Sequence, residues 1–169
     1  MSNAVDKSKV PWWVSNLIVP LVNLIFGYHH QEPFSKSSIL KDKNILSYSH
    51  KVMAEYDVRP QSPHLITSNF SGGNQQKIIL SRELNKNPKI LLVGQPTRGV
   101  DIGAIEFIHQ RLIDMRNKGV AILLVSVELE EVLSLSDRIV VMFDGKIVGE
   151  RVNKDVTDRD IGLLMAGIA

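Results

Sequence analysis

The stretch FSGGNQQK, residues 70–77, decides the fold of this 169-residue chain because it marks where a helix begins. Ser71 is a favourable N-cap, so the pattern predicts a helix over residues 71–86. The helix is expected to bury an apolar face made of Ile79, Leu80 and Leu84. Two glycines at a helix N-terminus, where N–H groups are free and the charge is partly positive, let an anion approach closely. Taken alone, such a short motif is better explained by an ordinary helix start.

Strand and helix patterns alternate after this helix. KILLV at 89–93 and VAILLVS at 120–126 are continuously apolar, which predicts parallel strands covered on both faces. The helix predicted between them, over 102–118, presents one apolar stripe: Ile105, Ile108, Leu112 and Met115. A strand, a helix and a second strand in this order indicate a right-handed crossover. The expected fold class is therefore α/β, a parallel sheet with flanking helices.

The segment from residue 128 onward adds a short helix, a hairpin and a final helix. ELEEVLSL predicts the short helix, and RIVVMF with KIVGE predicts a hairpin that turns at Asp144-Gly145. Thr157 and Asp160 have the spacing of a capping box and mark the start of the final helix.

The region 23–69 predicts a helix and a linker. Ile45, Ser49, Val52, Met53 and Tyr56 recur at intervals of three and four residues. Prolines at positions 60 and 63 indicate an extended linker that leads to Phe70.

Composition excludes several classes of function. The 20 Lys and Arg residues against 18 Asp and Glu residues leave a net charge of +2 without a basic cluster, so no nucleic-acid partner is expected. The chain has no cysteine, which excludes disulfides and thiolate metal sites and fits a reducing compartment.

Residues 1–22 form an apolar leader that fits no other part of the pattern. The uncharged stretch 10–28 raises the possibility of a membrane span, but Pro11 and Pro20 would interrupt its helix. The alternative is an apolar segment that packs against protein.

Several motifs agree in order and spacing: SGGNQQK, then ILLV, QPTRGVD at 95–101, ILLVS at 122–126 and GLLMAG at 162–167. This order resembles the ATP-binding-cassette (ABC) ATPases, specifically the second half of the tandem ATPases of simple-sugar and nucleoside importers. The resemblance covers about residues 23–167. It implies a helical-subdomain segment and linker over 23–69, and the C-terminal part of a nucleotide-binding domain over 70–169.

The resemblance implies which residues meet nucleotide. Ser71, Gly72 and Gly73 match the family signature, which contacts the γ-phosphate of an ATP held by the opposite half. Gln75 belongs to the same motif and is also expected to bind nucleotide. Asp101, with Gly99 and Val100, matches the loop that crosses the dimer interface. Pro96 and Thr97 follow the second acidic motif, and an ordinary strand-to-helix turn would favour them equally.

The departures from the family pattern are equally specific. No G-x-x-x-x-G-K-[ST] occurs, so the P-loop half of the fold is missing from this sequence and the chain is expected to be truncated. Gly94 stands where the family has the Asp that steadies Mg²⁺, and Gln95 where it has the general base Glu. Val127 stands at the switch His. An amide cannot accept a proton from water, a loss of about 10² to 10⁴ in rate. No autonomous catalytic residue is therefore expected.

Other polar residues are interpreted as structural. His29 and His30 lack a further ligand at helical spacing, so no metal site is expected. Glu128, Glu130 and Glu131 suit a helix start, His109 is isolated, and three basic residues are expected to be solvated or ion-paired: Lys77, Arg82 and Arg111.

The resemblance implies an ATP-binding component of an importer, which uses ATP and Mg²⁺ only within a complete composite site. Its partners would be an intact ABC ATPase half and a transmembrane permease, through which it would lie peripherally on the cytoplasmic face of the membrane. Two alternatives remain open. One is a non-functional gene fragment, and the other is a soluble interaction module without nucleotide turnover.

Overall fold

The computed structural model describes residues 23–27, 29–36 and 39–168. They form two compact units. The first contains the described residues up to Pro88 together with Gly99–Ile108, and the second contains Lys89–Arg98 and the described residues from His109 onward. The predicted leader, residues 1–22, lies outside the described residues. Within those three ranges, no helix combines the length and apolar character that a bilayer crossing requires.

The first unit is mainly helical. A short antiparallel pair, β1 (Ser35–Lys36) and β2 (Ile39–Leu40), precedes helix α1 (Asp42–Glu55). A single 3₁₀ turn then leads to helix α2 (Gly72–Leu84). The start of helix α3 (Ile102–Asn117) also belongs to this unit.

Helix α1 confirms the spacing seen in the sequence. It buries Ile45, Ser49, Val52 and Met53, and Tyr56 directly after it is also buried. The hydroxyl of Ser49 donates to the Ile45 carbonyl at 2.8 Å, which satisfies a polar group on an otherwise apolar face. Ile45 also joins a small core with Ile25 and Phe34.

Helix α2 begins where predicted and buries Leu80 and Leu84, two of the three residues expected on its apolar face. Ser71 is its N-cap and accepts from the Asn74 N–H at 3.4 Å. Ile79, predicted to be buried, is 47% exposed, whereas Ile78 is buried. The buried face also includes small and polar residues that apolar patterning does not register: Gly73, Lys77 and Ser81.

Of the two alternatives predicted for Lys77, solvated or ion-paired, the structure shows the ion pair. Its side chain is buried, its Nζ donates to the Asp57 carbonyl at 3.0 Å, and it lies 4.8 Å from the centre of the Phe107 ring. The Asp57 carboxylate is 3.6 Å away, and its pKa is held below the ordinary range, mainly by a hydrogen bond from Arg59. The ammonium group is buried because it gains a carbonyl, a carboxylate and an aromatic face in exchange for water.

We expect Lys77→Met to lower the free energy of unfolding by about 1 to 2 kcal/mol, since it keeps the aliphatic stem but removes the charged hydrogen bond and the ring contact. Urea unfolding of the 169-residue chain measures this change. Lys51→Met is the matched control because Lys51 is exposed on α1. Equal midpoints for the two variants would contradict the stabilising role of Lys77.

The second unit contains the predicted parallel strands. Strand β3 (Ile90–Gly94) pairs in parallel with β4 (Ala121–Val125), from Ile90 opposite Ala121 to Gly94 opposite Val125. The expectation that both faces are covered is wrong for the described residues. Leu91 is buried, but Leu92 and Leu123 on the opposite face are 73% and 58% exposed. The described residues cover one face of the pair and leave the other open.

The remaining elements confirm the expected order. Helix α4 (Leu129–Leu135) is followed by the antiparallel hairpin β5 (Arg138–Phe143) and β6 (Lys146–Val152), and helix α5 (Asp158–Met165) ends the unit. At the hairpin turn, Asp144 and Gly145 have φ values of 46° and 71°, as a type I′ turn requires.

The core of this second unit lies between the hairpin and α5. It contains Ile139 and Val141 of β5 with Ile161 and Leu164 of α5. The predicted capping box fixes the start of α5, because Thr157 and Asp160 each accept a hydrogen bond from the other's backbone N–H. Together these elements confirm the α/β class with a C-terminal hairpin.

Candidate functional site

The first candidate site is the N-terminus of α2. Ser71 and Gly72 are exposed and Gly73 is buried, so the start of the helix reaches the surface while its second residue packs inside. The first N–H groups of a helix have no partner within the helix and carry its partial positive charge. This end of α2 can therefore donate backbone hydrogen bonds to an anion.

The two glycines allow α2 to touch the loop 99–101. A Cβ added to Gly73 would lie 2.8 Å from the Cβ of Ala104 and 2.9 Å from Oδ2 of Asp101. A Cβ added to Gly72 would lie 3.0 Å from the Gly99 carbonyl oxygen. The two distances at Gly73 are too short for a methyl group, and the distance at Gly72 would need the loop to give way slightly, so the signature and the loop approach closely because there is no side chain between them.

Asp101 holds the other side of this contact. Its Oδ1 accepts from the Ala104 N–H at 2.9 Å, which caps the start of α3. Gly99 just before it has φ of 71°, a conformation that favours glycine. The structure thus brings together the two groups of residues that sequence patterns associated with nucleotide.

Gln75 is held by its own chain. Its side-chain Nε2 donates to the carbonyl of Phe70 at 2.8 Å, and Phe70 is itself buried. This bond links the side chain to the residue directly before the N-cap of α2. The amide oxygen of Gln75 is the other polar atom of that side chain.

The second candidate site is the end of β3 with the start of α4, in the second unit. Gly94 ends β3, and the Gln95 N–H donates to the Val125 carbonyl at 2.8 Å. Val127 is 64% exposed, and a Cβ at Gly94 would meet no atom within 4 Å. None of Gly94, Gln95 and Val127 carries an ionisable side chain, so they supply neither a general base nor an anionic metal ligand.

The sequence did not predict a buried polar cluster that lies next to the second candidate site. Oε1 of Glu131 accepts from the Thr97 hydroxyl at 2.8 Å and lies 3.0 Å from Nε2 of His109. Glu131 is only 3% exposed. Glu131 does lie in the first turn of α4, as expected, but it is a buried acceptor as well. The prediction that His109 is isolated is wrong, because the fold joins residues 22 positions apart that no local pattern pairs.

The paired histidines form no visible metal centre. The rings of His29 and His30 meet edge to face with centres 5.7 Å apart. Across the described ranges, no group of three or more His, Asp and Glu side chains is arranged to hold a metal ion.

Known proteins can be aligned with this chain over most of the chain's length. It is 43% identical over 145 residues to the guanosine import ATP-binding protein NupO of Bacillus subtilis, an overlap of 86% of this chain and 28% of that protein. It is 45% identical over 145 residues to the nucleoside import ATP-binding protein NupA of Lactococcus lactis, covering 86% and 29%. The chain thus spans less than a third of the length of these curated relatives. No protein-family model matches it.

Solved structures agree on the fold. An ATP-binding cassette of an ABC transporter superposes with a TM-score of 0.68 at 23% identity, over 94% of this chain and 65% of that one. Sequence and fold lead to the same conclusion: the chain is similar over most of its length to part of the ATP-binding proteins of nucleoside and simple-sugar importers, and its described residues form part of an ATP-binding-cassette fold.

Proposed function

We propose that the chain is an ATP-binding component of an importer for nucleosides or simple sugars, and that it supplies Ser71, Gly72 and Gly73 to an ATP held by a partner half. The observation that carries the proposal is the contact between the signature glycines and the loop 99–101, which leaves no room for a Cβ at Gly73 and little at Gly72. Such close packing fixes the exposed N-terminus of α2 in one orientation, and fixed N–H donors are what a γ-phosphate requires.

The composition of the second candidate site supports a role for the signature in trans. Gly94, Gln95 and Val127 offer no carboxylate and no imidazole. Mg²⁺, the P-loop and the general base would therefore come from an intact ABC ATPase half. When bound, Mg²⁺ would neutralise charge on the phosphates, and the residues of this chain would add only neutral backbone donors.

The open face of the strand pair supports association with further protein. Leu92, Leu123 and Val125 are each more than half exposed on that face. Apolar strands of a parallel sheet are ordinarily buried on both sides, so a second layer is expected over them.

The membrane partner follows from the same proposal. The chain would bind a transmembrane permease and lie peripherally on the cytoplasmic face of the membrane. The solute class, nucleosides or simple sugars, rests on the relatives that the chain matches. In this proposal the permease selects the solute, and the chain contributes only to the use of ATP.

A chimera tests the proposal. The 145 matching residues of the guanosine import ATP-binding protein are replaced by those of this chain, and the purified chimera is assayed for steady-state ATP hydrolysis. We expect turnover well above that of the same protein with the segment deleted, because the inserted signature completes the site of the intact half.

Two results would contradict the proposal. A chimera that folds and assembles yet hydrolyses no faster than the deletion would indicate a non-functional fragment. A 169-residue chain that is a stable monomer with a cooperative melt, and that forms no complex with the intact half, would indicate an independent interaction module.

A further inference from the structure

The cluster of Thr97, His109 and Glu131 connects three elements of the second unit. Thr97 lies in the turn after β3, His109 in α3 and Glu131 in α4. Both neighbours approach the same carboxylate oxygen, Oε1, at 2.8 Å and 3.0 Å. The second oxygen, Oε2, is buried without a hydrogen-bond partner among the described residues.

A carboxylate is a costly choice for this position. Glu131 is 3% exposed, and burying a charged group costs several kcal/mol unless hydrogen bonds offset it. An apolar side chain would pack here without that cost, as Leu129 and Val132 do in the same helix. What the carboxylate adds is direction, since its Oε1 accepts from the Thr97 hydroxyl and lies within hydrogen-bond distance of His109 Nε2 on a second element.

The bond from Thr97 ties together the two segments that form the second candidate site. Gln95 lies two residues before Thr97, and its N–H is already bonded to Val125 at the end of β4. Val127 lies two residues before α4, the helix that carries Glu131. The turn after β3 is therefore fixed to β4 at one end and to α4 at the other.

We propose that Glu131 is a positioning residue, which holds the turn at Gln95–Thr97 against α4 and thereby fixes position 95 relative to position 127. That this edge faces nucleotide rests on the proposed function, whereas the positioning itself does not. Positions 94, 95 and 127 carry no ionisable side chain, yet the carboxylate of Glu131 is buried beside them.

Hydrogen exchange at the Gln95 amide measures the positioning directly, because that N–H is bonded to Val125 across the turn. The measurement uses the full 169-residue chain without nucleotide. We expect Glu131→Ala to accelerate exchange of this amide about tenfold or more beyond the change in global unfolding, roughly the effect of one lost buried hydrogen bond. Thr97→Val, which removes only the hydroxyl donor, should reproduce the acceleration.

Two controls separate positioning from general stability. Leu164→Ala removes apolar contacts from the core of the same unit, so it should change exchange at Gln95 only as far as it changes global unfolding. Glu131→Gln keeps a carbonyl acceptor for Thr97 and should retain most of the protection. If Glu131→Ala does not fold, Thr97→Val and Glu131→Gln decide the question.

The proposal is overturned if Thr97→Val leaves Gln95 exchange unchanged, or if Glu131→Ala affects it only in proportion to global stability, as Leu164→Ala does. Either result would show that Glu131 contributes to packing and does not hold the turn at Gln95–Thr97. Since no nucleotide is present, this outcome is independent of the chimera assay. A failed chimera with intact positioning would remove the proposed function alone.

Discussion

Ser71→Arg is expected to abolish ATP turnover in the chimera, lowering the rate by about 100-fold or more. Ser71 is exposed at the N-terminus of α2, directly before the glycines whose N–H groups would meet the γ-phosphate. An arginine there fills the approach with a long side chain and removes the cap. Loss of transition-state donors of this kind costs about 3 kcal/mol. Steady-state ATPase assays measure the change.

The matched control for this variant is Ser47→Arg. Ser47 is exposed on α1 of the same unit, so the chemical change is the same while the site is left intact. We expect turnover close to that of the parent chimera. If both arginine variants were equally inactive, the loss would reflect general damage to the unit and the assignment of Ser71 would fail.

Gly73→Ala is expected to lower the free energy of unfolding by about 2 kcal/mol, although alanine is the better helix former by about 1 kcal/mol. The reason is the 2.8 Å separation between the added methyl group and the Cβ of Ala104, which forces α2 away from the start of α3. The same displacement should slow turnover in the chimera. Chemical denaturation measures the stability change.

Gly162→Ala provides a control of opposite sign. Gly162 lies within helix α5, and a Cβ there would meet no atom within 4 Å. Only the higher helix propensity of alanine then affects stability, so we expect the free energy of unfolding to rise by up to about 1 kcal/mol. Stabilisation by both alanines would show that the contact at Gly73 is loose.

Local signals in the sequence predicted the ends of most elements correctly. The capping residues Ser71 and Thr157 and the Asp144-Gly145 turn act through hydrogen bonds and φ values within a few residues, which sequence spacing specifies directly. Strands β3 and β4 were also predicted correctly, because each is a continuous apolar run in the sequence. The pattern did not predict which face of the pair would be covered, because that depends on neighbouring elements.

Contacts between distant segments escaped prediction. Lys77 meets Asp57 and Phe107, and Glu131 meets Thr97, 34 residues earlier in the sequence. Charged residues at these positions are more often exposed, so composition alone favoured solvation. Their burial is specified by the approach of several elements at once, and no spacing rule along one helix encodes it.

The candidate site was predictable in its residues but not in its packing. The order of motifs indicated Ser71–Gly73 and Asp101 as a group, through resemblance to a known family. The structure adds the reason that two glycines are needed, namely their contact with Gly99 and Ala104. The roles of Ser71–Gly73 and Asp101 toward nucleotide remain predictions, as do those of Gly94, Gln95 and Val127.

The central claim is that Ser71, Gly72 and Gly73 serve a catalytic site on the partner half, whereas the second candidate site of this chain does not catalyse. The ratio of ATP turnover between the Gln95→Ala and Ser71→Arg chimeras tests it most directly. We predict that Gln95→Ala changes the rate by less than about threefold, because an amide has no base role to lose, while Ser71→Arg abolishes it. If Gln95→Ala lowered ATP turnover as much as Ser71→Arg, position 95 would be catalytic and the roles assigned to the two candidate sites would be wrong.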